Sequence, residues 1–294
     1  MEAIQYRNRE NGKLETEQVY GEAFLKWAYG NPLGKVALET FVKRPFFSRW
    51  YGRRMDREVT SARIAPFIRE YGMDEKEFVD SKFATFNEFF YRKLKEGARP
   101  IASSDLTLPA DGRHLGFANA ADIEGVFVKG QKFSILELLD DPILGERYSQ
   151  GSLLLSRLCP VDYHRFHFPA AGTPGETRLI NGPLYSVSPI ALRKNLSYFW
   201  QNKRTVTELA TEHMGTILCL EIGATCVGSI HQTFTPGAPC KQGGEKGYFA
   251  FGGSSTILLF EPGKVTLSPD LLQAGVEMTE LYAKMGTPAG TAAS

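Results

Sequence analysis

Between about residues 21 and 94 the apolar side chains recur at helical spacing. Ala23, Leu25, Ala28 and Tyr29 fall on one face, and residues 59–71 and 83–94 repeat the pattern. Thr85 followed three positions later by Glu88 reads as a capping box opening a helix at Phe86. The segment 97–100, with Gly97 and Pro100, closes this helical regime. From about residue 108 to residue 265 the period changes to short β-prone runs cut by Gly and Pro: GVFVKGQ, SLLLSRL, GTILCLEIGATCVGSI and STILLFEPG. Helical inserts are expected at 134–139 and 188–200, and a last amphipathic helix at 269–285. The small, polar tail GTPAGTAAS reads as mobile. The pattern predicts an α+β protein: a helical region over 1–97, then a β-rich core over 98–294, with no internal repeat.

Composition narrows what such a chain does. At 294 residues, 43% hydrophobic and 23% charged, it can bury a large core. A net charge of +1 argues against wrapping nucleic acid, which needs a basic excess. Cys159, Cys219, Cys226 and Cys240 form no CxxC pair and have no His at metal-ligand spacing. Neither zinc nor a redox motif is indicated, and they read as buried thiols in a reducing compartment. The opening MEAIQYRNRENGKLETEQ lacks the apolar core of a secretory signal, and no apolar run approaches the ~20 residues of a membrane-spanning helix. Any membrane contact is therefore expected to be peripheral.

One junction carries candidate chemistry. In KGYFAFGGSSTILLFEPG, Gly252 and Gly253 meet Ser254 and Ser255 just before an apolar strand. Glycine leaves its carbonyl open to a nucleophile. A serine hydroxyl can attack the preceding carbonyl and convert the amide to an ester; elimination leaves dehydroalanine, and hydrolysis a pyruvoyl cap. On these residues alone a glycine-rich turn is the commoner meaning. Self-cleavage also requires a base, normally a His oriented by a carboxylate. LCPVDYHRFHFPAAG supplies His164 and His167 three apart, beside Asp162 and Arg165. A regular strand puts the two imidazoles on opposite faces, and a bend brings them together. The carboxylate candidate is Asp111 in LPADGRHLGF, although Asp before Gly is also a common turn pair. No third ligand near the His pair supports zinc. His114, His213 and His231 read as structural or surface residues.

Taken in order, LPADG, KGQKFS, CPVDYHRFHFPAAG, GPLYSV and FGGSSTILLFEPG resemble the phosphatidylserine decarboxylase family, and FNEFFYRKLKEGARPI resembles its N-terminal stretch. The resemblance spans about residues 86–263. It implies that Asp111, His167 and Ser254 form the self-cleavage triad. It further implies that His164 serves decarboxylation and that Ser186 lines the substrate site. Cleavage at Gly253-Ser254 then yields a beta chain 1–253 and an alpha chain 254–294, with Ser254 becoming a covalent pyruvoyl cofactor and no metal required. The GGSS junction departs from the Leu-Gly-Ser-Thr of many bacterial members, which leaves Ser255 as the alternative position.

The implied reaction joins the amine of phosphatidylserine to the pyruvoyl ketone as a Schiff base, which accepts the electrons released with carbon dioxide. Protonation by His164 gives phosphatidylethanolamine. In FVKRPFFSRWYGRRMDR, aromatics such as Phe46, Phe47, Trp50 and Tyr51 alternate with Lys43, Arg44, Arg49, Arg53, Arg54 and Arg57. That suits an anionic bilayer surface, though aromatics packed on the core would read the same way. The expectation is a homodimeric peripheral protein on the cytoplasmic face of the cell membrane. Three other functions fit less well. A pyruvoyl enzyme acting on a soluble amino acid leaves the interfacial segment unexplained, and a non-catalytic lipid-binding relative leaves the triad unused. A serine hydrolase lacks a GxSxG elbow.

Overall fold

A computed structural model of the chain describes residues 3–123, 133–225, 229–251 and 254–293. Its centre is a nine-stranded sheet. Numbered in chain order, its strands are β1 (Gln5–Asn8), β2 (Leu14–Thr16), β4 (Gly112–Phe117), β5 (Leu153–Leu158), β7 (Thr173–Ile180), β8 (Arg204–Ala210), β9 (Thr216–Ile222), β12 (Ser254–Leu259) and β14 (Glu280–Ala283), in the spatial order β2-β1-β14-β4-β5-β12-β9-β8-β7. All neighbours are antiparallel except β1 and β14. A second sheet joins β10 (Ile230–Gln232), β11 (Glu245–Phe249) and β6 (Arg165–His167); a third joins β13 (Val265–Leu267), β15 (Pro288–Ala292) and β3 (Leu106–Thr107).

β12 sits between β5 and β9, with Ser254 opposite Leu158 and Ser255 opposite both Arg157 and Ile222. A strand paired on both edges and covered on both faces reads as an unbroken apolar run rather than an alternating one. Ile257, Leu258, Leu259 and Phe260 are accordingly all buried. Each contributes roughly 1.5–3 kcal/mol of burial, which pins the polar head of the strand, Ser254 and Ser255, inside the protein.

The region before residue 97 supplies short helices, Glu22–Gly30, Pro32–Ala37, Pro45–Met55, Ile64–Tyr71 and Phe86–Phe90. Met55, Phe67, Phe78, Phe86, Phe89 and Phe90 form an aromatic cluster that also holds Phe251, three residues before Ser254. The capping box is present: Thr85 accepts from the Glu88 amide, and Glu88 reaches back to the amide of Ala84. That helix stops at Phe90, however, well short of residue 94. Ser134 caps the expected helix Ile135–Leu139, while 188–200 divides into Pro189–Leu192 and Tyr198–Gln201.

Three expectations change. The polar N-terminal stretch forms β1 and β2 and extends the sheet beyond β14. The helix expected over 269–285 ends at Glu277, where Met278 takes a left-handed cap (φ 51°), and the chain continues as β14. The tail is a paired strand: Gly290 lies opposite Leu267 and Leu106, so close that a side chain there would collide with the Thr266 carbonyl. Small residues marked tight packing here, not mobility. Cys159 and Cys219 are buried free thiols and Cys240 is a half-buried one. Cys226 and the run GVFVKGQ lie outside the described residues.

Beside β12, Lys246 is 1% exposed and places its ammonium 2.8 and 2.9 Å from the two oxygens of Glu221. Removing one partner of such a pair strands a buried charge. Lys246→Met is expected to lower unfolding free energy by about 3–5 kcal/mol, and adding Glu221→Leu to restore much of it. Denaturant titration of the single and double variants measures both.

Candidate active site

Ser254 begins β12, and its partner Leu158 ends β5. From Leu158 the chain turns through residues 159–164 into β6. Asp162 closes that turn by accepting from the Cys159 amide at 2.6 Å and from Arg113 at 2.5 Å. His164 lies immediately after, fully buried, with Nδ1 3.0 Å from the Asp162 carbonyl, so Nδ1 carries the proton that bonds there. Its ring packs on Phe90 at 3.8 Å, and Phe90 packs on Phe251 at 4.8 Å. His164 stands just before the strand and His167 at its end.

The amide of His167 donates to the Pro109 carbonyl at 2.7 Å, which draws β6 against the LPADG turn. Its Nδ1 donates to the Gly243 carbonyl at 2.9 Å, leaving Nε2 to accept from the Tyr163 hydroxyl at 3.3 Å. Burial, offset in part by the Gly243 carbonyl, pulls the His167 pKa below its ordinary value. That favours the neutral imidazole, with Nε2 unprotonated, the form a general base requires.

Asp111 comes close without touching His167. Arg99 Nε lies 2.9 and 3.0 Å from its two oxygens, Nη2 lies 2.6 Å from Oδ2, and the Met285 amide donates to Oδ1 at 2.8 Å. An apolar quartet of Ala110, Leu158, Phe166 and Phe249 gathers the neighbours of Asp111, Ser254 and His167 around one point. In this arrangement the orienting acceptor of His167 is the Gly243 carbonyl, and the partner of Asp111 is Arg99. The Ser254 hydroxyl is 0% exposed and, like those of Ser255 and Thr256, has no hydrogen-bond partner among the described residues. Gly252 and Gly253, and with them the bond expected to break, lie outside the described residues.

A cavity of about 490 Å³ reaches this junction from the N-terminal helices, walled by Phe24, Phe47, Tyr51, Leu158 and Phe251. Ser186 lies on its wall, its amide donating to the Tyr29 hydroxyl at 2.8 Å and its Oγ accepting from the Ser188 amide at 3.1 Å. The lining is largely apolar, and its polar side chains include Glu17, Arg157, Ser186, Ser188 and Thr225. Among the described residues no group of His, Cys, Asp and Glu could hold a metal ion. Of the other histidines, His114 is buried between Ser156 and the Ala283 carbonyl, and His213 is exposed.

Comparison with known proteins agrees with the motif order. Residues 86–290 match the family model described as phosphatidylserine decarboxylase. The chain belongs to the phosphatidylserine decarboxylase family. It is 43% identical over 293 residues to the phosphatidylserine decarboxylase proenzyme of Fusobacterium nucleatum, covering 98% of each chain. It is 42% identical over 292 residues to that of Clostridium novyi, covering 98% of this chain and 99% of the relative. Against the proenzyme of Chlamydia muridarum it is 43% identical over 289 residues, 97% and 96% of the two chains.

Four residues of this family member escape sequence reading. Arg99 looks like another surface cation in a Lys- and Arg-rich run, and Gly243 like a turn glycine. Glu17 sits in a polar stretch, yet its carboxylate is buried against Arg157, whose Nη2 lies 2.5 Å from Glu17 and 2.6 Å from Glu280. Tyr163 stands between Asp162 and His164, and its presence in that motif was the one available signal.

Burial alone would raise the Glu17 pKa, but Arg157, then Arg113, outweigh it and hold the carboxyl down at about 2, against 4.5 unperturbed. A carboxyl depressed on folding adds stability that is complete above pH 4.5 and is lost as pH falls through about 2. Glu17→Gln is expected to cost about 3 kcal/mol at pH 7 and to flatten the acid limb. Stability measured by denaturant between pH 7 and pH 2 checks both.

Proposed function

We propose that this chain is a phosphatidylserine decarboxylase proenzyme: it cuts itself before Ser254 and then acts as a carboxy-lyase on phosphatidylserine. The observation that carries this reading is the Ser254 hydroxyl, buried without a partner among the described residues at the head of β12. Leaving such a group unsatisfied costs about 1–3 kcal/mol, a cost that suits a group whose task is to react. The names of the relatives, decarboxylase and proenzyme together, support both halves of the proposal.

In this reading Ser254 Oγ attacks the carbonyl of Gly253 while His167 Nε2 takes the hydroxyl proton. The C–N bond breaks as the ester forms, and the proton passes to the freed amine of residue 254. Elimination returns a carboxylate to Gly253 and leaves dehydroalanine at 254. Water then releases ammonia and leaves the pyruvoyl group, whose ketone and adjoining carbonyl supply the electron sink for decarboxylation. Ser255 is the alternative position, one residue deeper in the strand.

After the cut, the chain's own residues hold the site together. β12 lies between β5 and β9, β14 between β1 and β4, and β15 beside β3, so the 254–294 fragment stays woven into the larger one. Arg157 adds an ionic tie, with Glu17 on one fragment and Glu280 on the other. In this reading His164, packed on Phe90 and bonded through Nδ1 to the Asp162 carbonyl, hands a proton to the substrate's α-carbon when its ring is protonated, and the cavity beside Ser186 receives the lipid. The resemblance adds a homodimer of such units.

Access to the bilayer is proposed through residues 22–50. Phe24, Trp27, Leu33, Val36, Phe41, Phe46 and Trp50 are exposed there, while Phe47 and Tyr51 turn inward to the cavity wall. Arg54 lies 5.9 Å from the Trp50 ring, pairing a cation with an interfacial aromatic. No helix among the described residues is long and apolar enough to cross a membrane, so the contact proposed is peripheral.

Intact-mass spectrometry of the purified chain is expected to give fragments 1–253 and 254–294, the second blocked at its N-terminus. A single uncut chain sinks the self-cleavage reading. Carbon dioxide is expected from phosphatidylserine vesicles and not from free serine; the reverse result assigns the enzyme to soluble amino acids. Trp50→Ser with Phe46→Ser is expected to reduce co-sedimentation with vesicles containing phosphatidylserine by about tenfold, as buried aromatic area predicts. Unchanged sedimentation would remove this face as the docking surface.

A further inference from the structure

The Asp111 carboxylate has about four lone-pair positions to offer, and three N–H groups, two from Arg99 and one from Met285, are directed at them. Arg99 Nε contacts both oxygens, Arg99 Nη2 contacts Oδ2, and the Met285 amide contacts Oδ1. The guanidinium is itself anchored: Nη1 donates to Glu77 at 3.0 Å and to the Ala98 carbonyl at 2.7 Å. Both side chains of the pair are buried, Arg99 8% exposed and Asp111 2% exposed, so solvent screens the contact little. Meanwhile His167 takes its orientation from the Gly243 carbonyl. A base and its carboxylate are thus gathered in one place but bonded to other partners.

We propose that Arg99 is a positioning residue of maturation: it holds the Asp111 carboxylate turned to itself and to the Met285 amide, and so sets how strongly Asp111 acts on His167. This inference rests on the self-cleavage reading for its purpose, though not for its measurement. Arg99 suits the task because a planar fork can occupy a whole carboxylate edge, which a lysine ammonium cannot. Its anchor on Glu77 ties the setting to the segment before residue 97.

The charged and titratable groups facing His167 are Asp111 and Glu245, which favour its protonated form, Arg165, which opposes it, and the Tyr163 hydroxyl. Those around Asp111 are Arg99 and, at longer range, Arg92, His114, Asp162, Tyr163 and Tyr282. Removing the Arg99 cation leaves Asp111 uncompensated and free to draw His167 toward imidazolium. Neutral His167, the form that accepts the serine proton, then prevails only at higher pH.

The test uses the full-length chain carrying Ser254→Ala, which keeps it uncut, with 15N-labelled histidine and NMR titration of the His167 ring. Adding Arg99→Gln is expected to move the His167 midpoint up by about one pH unit. Arg99→Lys, which keeps the cation, is expected to stay near the parent. A folded Arg99→Gln variant that titrates with the parent overturns the proposal, as does Arg99→Lys moving as far as Arg99→Gln. Asp111→Asn in the Arg99-containing chain supplies an independent arm: a small downward move supports the proposal. A drop of more than about one unit overturns it, because Asp111 would then act at full strength despite Arg99. In the Ser254-containing chain, the pH of half-maximal cutting is expected to follow the His167 midpoint upward in Arg99→Gln. Absence of any cutting in the natural chain sinks the self-cleavage reading and leaves the titrations to decide the role of Arg99.

Discussion

A serine hydroxyl with no partner among the described residues, at the head of a strand enclosed on both edges and both faces, is the constraint around which this molecule is arranged. Ser254, Ser255 and Thr256 all lie inside, their hydroxyls unbonded to any described residue, an arrangement that costs several kcal/mol by the usual measure of buried polar groups. The apolar half of the same strand offsets it. Ile257 through Phe260 can be buried only if β12 stays in register between β5 and β9, and in that register the three hydroxyls have nowhere else to go. The fold thus delivers the Ser254 hydroxyl to a buried position using ordinary packing.

Around that strand the charges are organised in separate buried clusters. Lys246 and Glu221 lie on the β9 side; Arg157, Glu17 and Glu280 on the β5 side; Asp111 and Arg99 at the turn entering β4. Each excludes water while satisfying its own ions, the condition under which buried charge is tolerable. Two of the clusters span the proposed cut. Arg157 joins Glu17 to Glu280, and Asp111 accepts from Met285. The fragment that carries Ser254 is held by ion pairs as well as by strands, so breaking one peptide bond need not loosen the site.

The N-terminal helices serve two surfaces at once. Their inner face supplies Phe47 and Tyr51 to the cavity and packs Phe90 between His164 and Phe251; their outer face presents Phe46 and Trp50. Both meanings of an aromatic-rich, basic segment, core packing and exposed surface, are realised on alternate residues of the helix Pro45–Met55. An outer apolar surface and the wall of the cavity beside Phe251 are therefore built by one short stretch of chain.

Much of this was legible in the residues. Helical spacing before residue 97, the β-prone runs, the cap at Thr85 and the ordered motifs around Asp111, His164, His167 and Ser254 are local signals, and local signals survive in a one-dimensional record. What was not legible depends on partners distant in sequence. Pro288–Ala292 becomes a strand because β3 and β13 offer it free edges, and Gln5–Asn8 because β14 does. Periodicity carries no trace of such an edge. The residue types of the candidate site and their order were determined by the sequence itself. Only the tertiary structure decided that Asp111 is held by Arg99, that His167 leans on Gly243 and that Glu17 is buried against Arg157. A side chain's hydrogen-bond partner is chosen by the three-dimensional neighbourhood in which burial leaves it, and that neighbourhood is assembled from segments that in the chain stand far apart.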